Sequence, residues 1–210
     1  MSSLARTERA ALCDLALERG PDAPTLSGDW TVKDLVVHLL VREGNVAAIG
    51  IVVHPLSGLT DLASRRLARQ DLPVLVQRLR QGPPRYSLFA VPALDKMLNM
   101  LEFFVHHEDI RRAQEGWEPR ELPRKPQDAL WKAIRVAGKG LVRSAKVGVV
   151  LERSDTGEQA VLKDSPTRVV VRGLPAELVM FTYGRQAQAR VELQGTETDV
   201  AALTGADLGI

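Results

Sequence analysis

The spacing of apolar residues changes character at about residue 117. Before this point apolar residues recur at helical spacing, and after it short valine-rich runs alternate with turn residues. Three prolines in the charged stretch from Trp117 to Pro126 break the helical pattern, as expected at a domain boundary. The sequence therefore predicts an α+β protein of two domains, residues 1–122 and 123–210.

The first domain is predicted to be a bundle of four helices. Its helical segments span residues 6–20, 31–53, 71–82 and 91–116. The second has a clear start, because Thr31 can cap it, Asp34 can bond back to the cap, and Trp30 can pack on Leu35.

The second domain is predicted to be a small α+β unit. One helix over 127–145 precedes three short strands, at 147–154, 158–164 and 167–173, which their turn residues arrange as an antiparallel meander. A short helix, a further strand and a last capped helix follow at 174–184, 188–195 and 196–205.

Charge and cysteine content exclude several classes of protein. The formal net charge of +2 favours neither nucleic acid nor an anionic membrane as a partner. The single cysteine, Cys13, excludes an internal disulfide and a thiolate-rich metal site, suits a reducing cytoplasm, and is expected in the core. The N-terminus has no signal-peptide pattern, and the longest apolar run, 46–53, is too short to span a bilayer.

One stripe of polar side chains runs along the fourth helix. Glu102 and His106 stand four residues apart, so their side chains share a face, and Asn99 and Asp109 extend the stripe. Buried polar groups need partners, and a pair of this kind is more often structural than metal-binding. The adjacent His107 points elsewhere and, with Glu108, Arg111 and Arg112, is expected on a solvated face.

A third candidate lies on the second helix, which is apolar on nearly every side and yet carries His38. If the two helices face one another, His38, Glu102 and His106 converge on a set sufficient for Zn²⁺, with Fe, Ni or Mn as alternatives. Asp34 and Asp109 could then accept hydrogen bonds from the far ring nitrogens. Asn99 or Asp109 could close the site as a fourth ligand, which would indicate structural zinc. His54, before Pro55, is expected in a loop.

Three stretches resemble a known family. "GDWTVKDLVVHL" resembles the DinB-like motif that delivers a metal-binding histidine, and "LEFFVHHEDIRRA" resembles its Glu-x-x-x-His-x-x-Asp motif. Both occur in this order in the mycothiol-dependent maleylpyruvate isomerase family of actinobacteria. The segment "GLPAELVMFTYGRQAQARVELQGT" resembles that family's small sterol-carrier-protein-like domain.

The resemblance implies a DinB-like four-helix bundle in which His38, Glu102 and His106 hold a divalent metal, usually zinc, with mycothiol as a possible cosubstrate. It also implies that Arg185 binds substrate carboxylates, although Arg185 could instead serve as a cation at a helix C-terminus. Because His107 and Glu108 depart from the family pattern, the substrate need not be maleylpyruvate.

Three functions remain open from the sequence. The first is a thiol-dependent isomerase or S-transferase acting on a small electrophile, as a monomer or a homodimer. The second is a metal-dependent hydrolase of an amide or thioester, with Glu43 or Asp109 as base. The third is a non-catalytic metal-binding protein.

Overall fold

The computed structural model describes residues 4–44, 64–82 and 92–209. It has an α+β fold that divides into two compact units, Met1–Glu118 and Pro119–Ile210. None of the helices within these described ranges has the length and apolar character needed to span a membrane.

Within the described residues, four helices of the first unit lie where the sequence predicts them, and residues 64–68 are also helical. The four helices are α1 (Leu4–Arg19), α2 (Val32–Gly44), α3 (Leu72–Gln81) and α4 (Pro92–Arg112). Fully buried side chains from all four form one apolar core, among them Leu12, Leu35, Leu39, Leu75, Leu79 and Phe103. Cys13 lies in this core as predicted, where burial raises the pKa of its thiol to about 11 and keeps it unreactive. The predicted extension of α2 to residue 53, like His54, lies outside the described residues.

The start of α2 follows its predicted cap. The backbone N–H of Asp34 donates to Thr31 Oγ1 at 3.3 Å, and the N–H of Thr31 donates back to Asp34 Oδ2 at 3.0 Å. This reciprocal pair satisfies N–H groups that a helix start otherwise leaves without partners. It fixes the first turn of α2.

The second unit packs helices against a four-stranded sheet. Helix α5 (Arg124–Leu141) leads into β1 (Gly148–Arg153), β2 (Gln159–Lys163) and β3 (Arg168–Gly173). Then follow α6 (Pro175–Thr182), a 3₁₀ turn (Gln186–Gln188), β4 (Glu192–Gln194) and α7 (Glu197–Thr204). Apolar residues of β1, β3 and α6 are buried, including Val149, Leu151, Val171, Leu178 and Phe181.

The prediction of an antiparallel meander is wrong, because the sheet is mixed. Its strand order is β2-β1-β3-β4, and β1 pairs with β3 in parallel. After β2 the chain crosses the start of β1, where the N–H of Gly148 donates to Thr167 O at 2.8 Å. A Cβ at Gly148 would lie 2.9 Å from that same oxygen, so this close crossing requires glycine.

Candidate metal centre

Three side chains from two helices meet in the first unit. His38 of α2 and Glu102 and His106 of α4 each offer one ligand atom, and these atoms all lie within 4.8 Å of one another. His106 is buried, and the Glu102 side chain is only 13% exposed. The structure thus brings together the three residues that the sequence predicts as ligands, while their binding of a metal stays a prediction.

Helical spacing and ring orientation account for this convergence. Glu102 and His106 stand one turn apart on α4, with His106 Nε2 3.5 Å from Glu102 Oε2. The ring of His38 approaches that of His106 edge-on, with their centroids 5.4 Å apart. Both histidines therefore border the space in front of the Glu102 carboxylate.

The ring of His106 is held from behind by Asp109. Asp109 Oδ2 lies 3.0 Å from His106 Nδ1 and also accepts a hydrogen bond of 2.9 Å from the Ser27 hydroxyl. Because an ionised carboxylate only accepts hydrogen bonds, Nδ1 carries a proton and Nε2 is the nitrogen left to face Glu102. This contact between Asp109 and the far nitrogen of His106 is the predicted one.

Charge and burial set the protonation of the cluster. Burial, with the nearby His106, lowers the pKa of His38 to about 4, so its ring is neutral at neutral pH. Burial raises the pKa of Glu102, but the interaction with His106 and the charge of Arg42 outweigh it and lower that pKa to about 2. Burial likewise opposes the charged form of His106, but hydrogen bonds to Asp109 and Glu102 outweigh it and raise the pKa of His106. Both hydrogen bonds thus favour the charged form of His106, and a cation bound at Nε2 would compete with the proton of that form.

The three residues fit a divalent metal. Two imidazoles and one carboxylate are a common ligand set of catalytic zinc, and two ligands about 2.1 Å from a tetrahedral ion lie about 3.4 Å apart. The separation of 3.5 Å between His106 Nε2 and Glu102 Oε2 is close to that value.

Two candidates for a closing fourth ligand are held elsewhere. Asn99 Oδ1 accepts a hydrogen bond of 2.6 Å from Arg42 Nη1, and Asp109 lies behind the ring of His106. The buried carboxylate of Glu43, suggested as a hydrolytic base, pairs with Arg9 of α1, and its role as a base stays a prediction. Among the described residues the candidate cluster thus consists of three side chains.

Two further side chains border the cluster, of which sequence reasoning missed Arg42 and gave Trp30 a packing role against Leu35. Arg42 stands four residues after His38 on α2, and its Nε lies 3.6 Å from Glu102 Oε2. Trp30 precedes α2, and its ring centroid lies 4.9 Å from that of His38, with the side chain still partly exposed. The spacing His38-x-x-x-Arg42 is the signal that could have identified the arginine.

The role predicted for Asp34 as a partner of His38 is wrong. Asp34 is exposed, and its carboxylate accepts from the N–H and hydroxyl of Thr31 at the start of α2. The physical reason is that a carboxylate in the first turn reaches the unpaired N–H groups of its own helix more easily than a ring one turn later.

Replacing Asp34 by alanine is therefore expected to lower the free energy of unfolding by about 1 kcal/mol and to leave metal affinity unchanged. Urea unfolding and a metal titration of the same variant measure the two effects. A loss of metal affinity of tenfold or more, at unchanged stability, would instead show that Asp34 supports the metal centre.

The prediction of a solvated face beyond His106 is also wrong. His107 is 6% exposed, and its Nδ1 lies 2.8 Å from Glu8 Oε2 of α1. Glu108 is buried and accepts from Arg112 Nε at 2.6 Å and from Arg111 Nη1 at 3.1 Å. This end of α4 packs on α1 rather than facing water, so its charged residues are paired inside the protein.

Arg185, the predicted substrate-binding residue, lies in the second unit and is half-buried. Its Nη1 donates to Tyr183 O at 2.5 Å, beside the end of α6. This contact is the one expected of a cation at a helix C-terminus. A role for Arg185 in substrate binding stays a prediction.

Comparisons with known proteins identify the fold. No protein-family model and no curated protein matches the sequence. Two crystal structures are similar, that of the mycothiol-dependent maleylpyruvate isomerase and that of its mutant in which one histidine is replaced by alanine. Each aligns with a TM-score of 0.62 at 15% sequence identity and covers 91% of this chain and 90% of the other. The chain therefore has the fold of a mycothiol-dependent maleylpyruvate isomerase.

Proposed function

We propose that this protein is a metal- and thiol-dependent enzyme, an isomerase or S-transferase that acts on a small electrophile. The observation that carries the proposal is the convergence of His38, Glu102 and His106 from two helices, with their ligand atoms within 4.8 Å of one another. The fold supports the same function, since the similar structures are those of an isomerase that depends on mycothiol. Zinc is the proposed metal and mycothiol the proposed cosubstrate.

The chemistry requires a reactive sulfur at neutral pH. A bound divalent metal would supply the positive charge that keeps a thiol deprotonated, and the thiolate is the nucleophilic form. The protein's own Cys13 does not supply this group, because it is buried and burial raises the pKa of its thiol. The sulfur therefore comes from a small external thiol.

Residues of the first unit prepare the site. Asp109 fixes the tautomer and direction of the His106 ring, and the Ser27 hydroxyl holds Asp109. His38 is neutral at neutral pH, so a ring nitrogen with a lone pair is available without loss of a proton. In this proposal Arg185 of the second unit steadies an anionic group of the substrate, as its planar guanidinium allows.

The experiment tests both requirements together. Purified protein is stripped with a chelator, reloaded with Zn²⁺, and assayed with maleylpyruvate for isomerisation and with monobromobimane for thiol transfer, with and without mycothiol. Turnover is expected only when metal and thiol are both present, and Glu102→Ala should abolish it. Asp34→Ala is the matched control, since it removes a carboxylate from α2, the helix that carries His38, without touching the cluster. Equal turnover without thiol, or in the stripped protein, would contradict the proposal.

A further inference from the structure

Arg42 places a fixed positive charge beside the candidate ligands. Its Nε lies 3.6 Å from Glu102 Oε2, and its Nη1 donates to Asn99 Oδ1 at 2.6 Å. The side chain of Arg42 is only 9% exposed and Asn99 is 1% exposed. The guanidinium is therefore held at one place, and water screens its charge little.

The charged side chains in contact at the candidate metal centre give it a definite net charge. Glu102 and Asp109 contribute two negative charges, Arg42 contributes one positive charge, and His38 and His106 are neutral as ligands. A divalent cation among them brings the sum to about +1. Without Arg42 the sum would be about zero, because the two carboxylates alone balance the cation.

This difference decides which incoming ligand is favoured. An anion entering a site of charge +1 neutralises it, whereas the same anion entering a neutral site leaves an uncompensated negative charge in a largely buried place. A neutral ligand gains nothing from the extra positive charge. The residue that makes the difference is Arg42, which no part of the proposed reaction uses.

We propose that Arg42 is a specificity-determining residue that makes the open position of the metal centre select an anionic ligand, a thiolate or a carboxylate, over a neutral one. This inference rests on the proposed metal site and deepens it, because it names the charge of the ligand that the site accepts. Asn99 has a supporting role, since its amide oxygen fixes the guanidinium against Glu102.

The test compares two probes on cobalt-loaded protein, in which the visible spectrum of Co²⁺ reports each ligand directly. Azide serves as the anion and imidazole as the neutral ligand. In Arg42→Gln, which removes the charge and keeps a side-chain amide, azide binding is expected to weaken about tenfold or more while imidazole binding stays within about twofold. Arg42→Lys, which keeps the charge, should bind azide nearly as the wild type does.

Each outcome has one meaning. If wild-type protein fails to bind one equivalent of Co²⁺, the proposed metal site itself is wrong. If the wild type binds Co²⁺ but Arg42→Gln shows the wild-type ratio of azide to imidazole affinity, only the role of Arg42 is wrong. If Arg42→Gln loses the metal, or both probes weaken equally, Arg42 merely positions Glu102 and the inference is overturned. Arg42→Met provides the same comparison should Arg42→Gln fail to fold.

Discussion

Replacing His106 by alanine is expected to lower the affinity for Zn²⁺ by more than about a hundredfold, whereas replacing the adjacent His107 by glutamine leaves it unchanged within about threefold. Loss of an outer partner of a ligand alone costs about 10–100-fold in metal affinity, and His106→Ala removes the ligand nitrogen itself. It also leaves Asp109 without the ring that it orients. His107 belongs to another contact, since its Nδ1 faces Glu8 of α1.

Competition with a chromophoric chelator measures both affinities in one format. His107→Gln is the matched control because it changes the neighbouring histidine of the same helix and retains a hydrogen-bonding side chain for Glu8. It is expected to lower stability, because Glu8 is buried, without lowering metal affinity. A similar fall in Zn²⁺ affinity for the two variants would mean that both substitutions disturb α4. An unchanged Zn²⁺ affinity in His106→Ala would show that His106 is not a metal ligand.

The three clustered residues were predictable because helical geometry is regular. The spacing of Glu102 and His106 fixes a shared face whatever surrounds the helix, and the apolar character of α2 predicts that His38 is turned away from water, as its partial burial bears out. The position of Arg42 on the His38 face follows from the same geometry. The partners of Arg42 could not be predicted in this way, because its contacts with Glu102 and Asn99 depend on how α2 and α4 pack.

The sheet order and the environment of the α4 C-terminal turn were not predictable for a related reason. The continuous apolar runs of β1 (149–151) and β3 (169–171) suit a parallel pair as well as an antiparallel one, so the sequence pattern does not distinguish them. The run His107, Glu108, Arg111, Arg112 is polar enough for a solvated face. His107 is buried because α1 covers its side of α4 and supplies Glu8 to the ring, whereas the Arg112 guanidinium lies beside the Trp117 ring.

Replacing Glu108 by glutamine is expected to lower the free energy of unfolding by about 3–5 kcal/mol. Glu108 and Arg112 are each 1% exposed in their side chains, and Arg112 Nε donates to Glu108 Oε2 at 2.6 Å. The Arg112 guanidinium also lies 4.8 Å from the centre of the Trp117 ring. Glutamine preserves the size of the side chain and removes its charge, so the variant takes away the carboxylate charge that faces a buried guanidinium.

Urea unfolding of metal-free protein, followed by tryptophan fluorescence, measures this loss. Glu18→Gln is the matched control, because it removes the same charge from an exposed pair with Arg19 and should cost less than about 1 kcal/mol. The double variant Glu108→Leu with Arg112→Met should recover most of the stability, since removing both charges leaves neither one buried alone. An equally small effect for Glu108→Gln and Glu18→Gln would show that water reaches Glu108, as the predicted solvated face requires. A large effect that the double variant does not relieve would place the stabilisation in the hydrogen bonds of Glu108 to both arginines rather than in charge compensation.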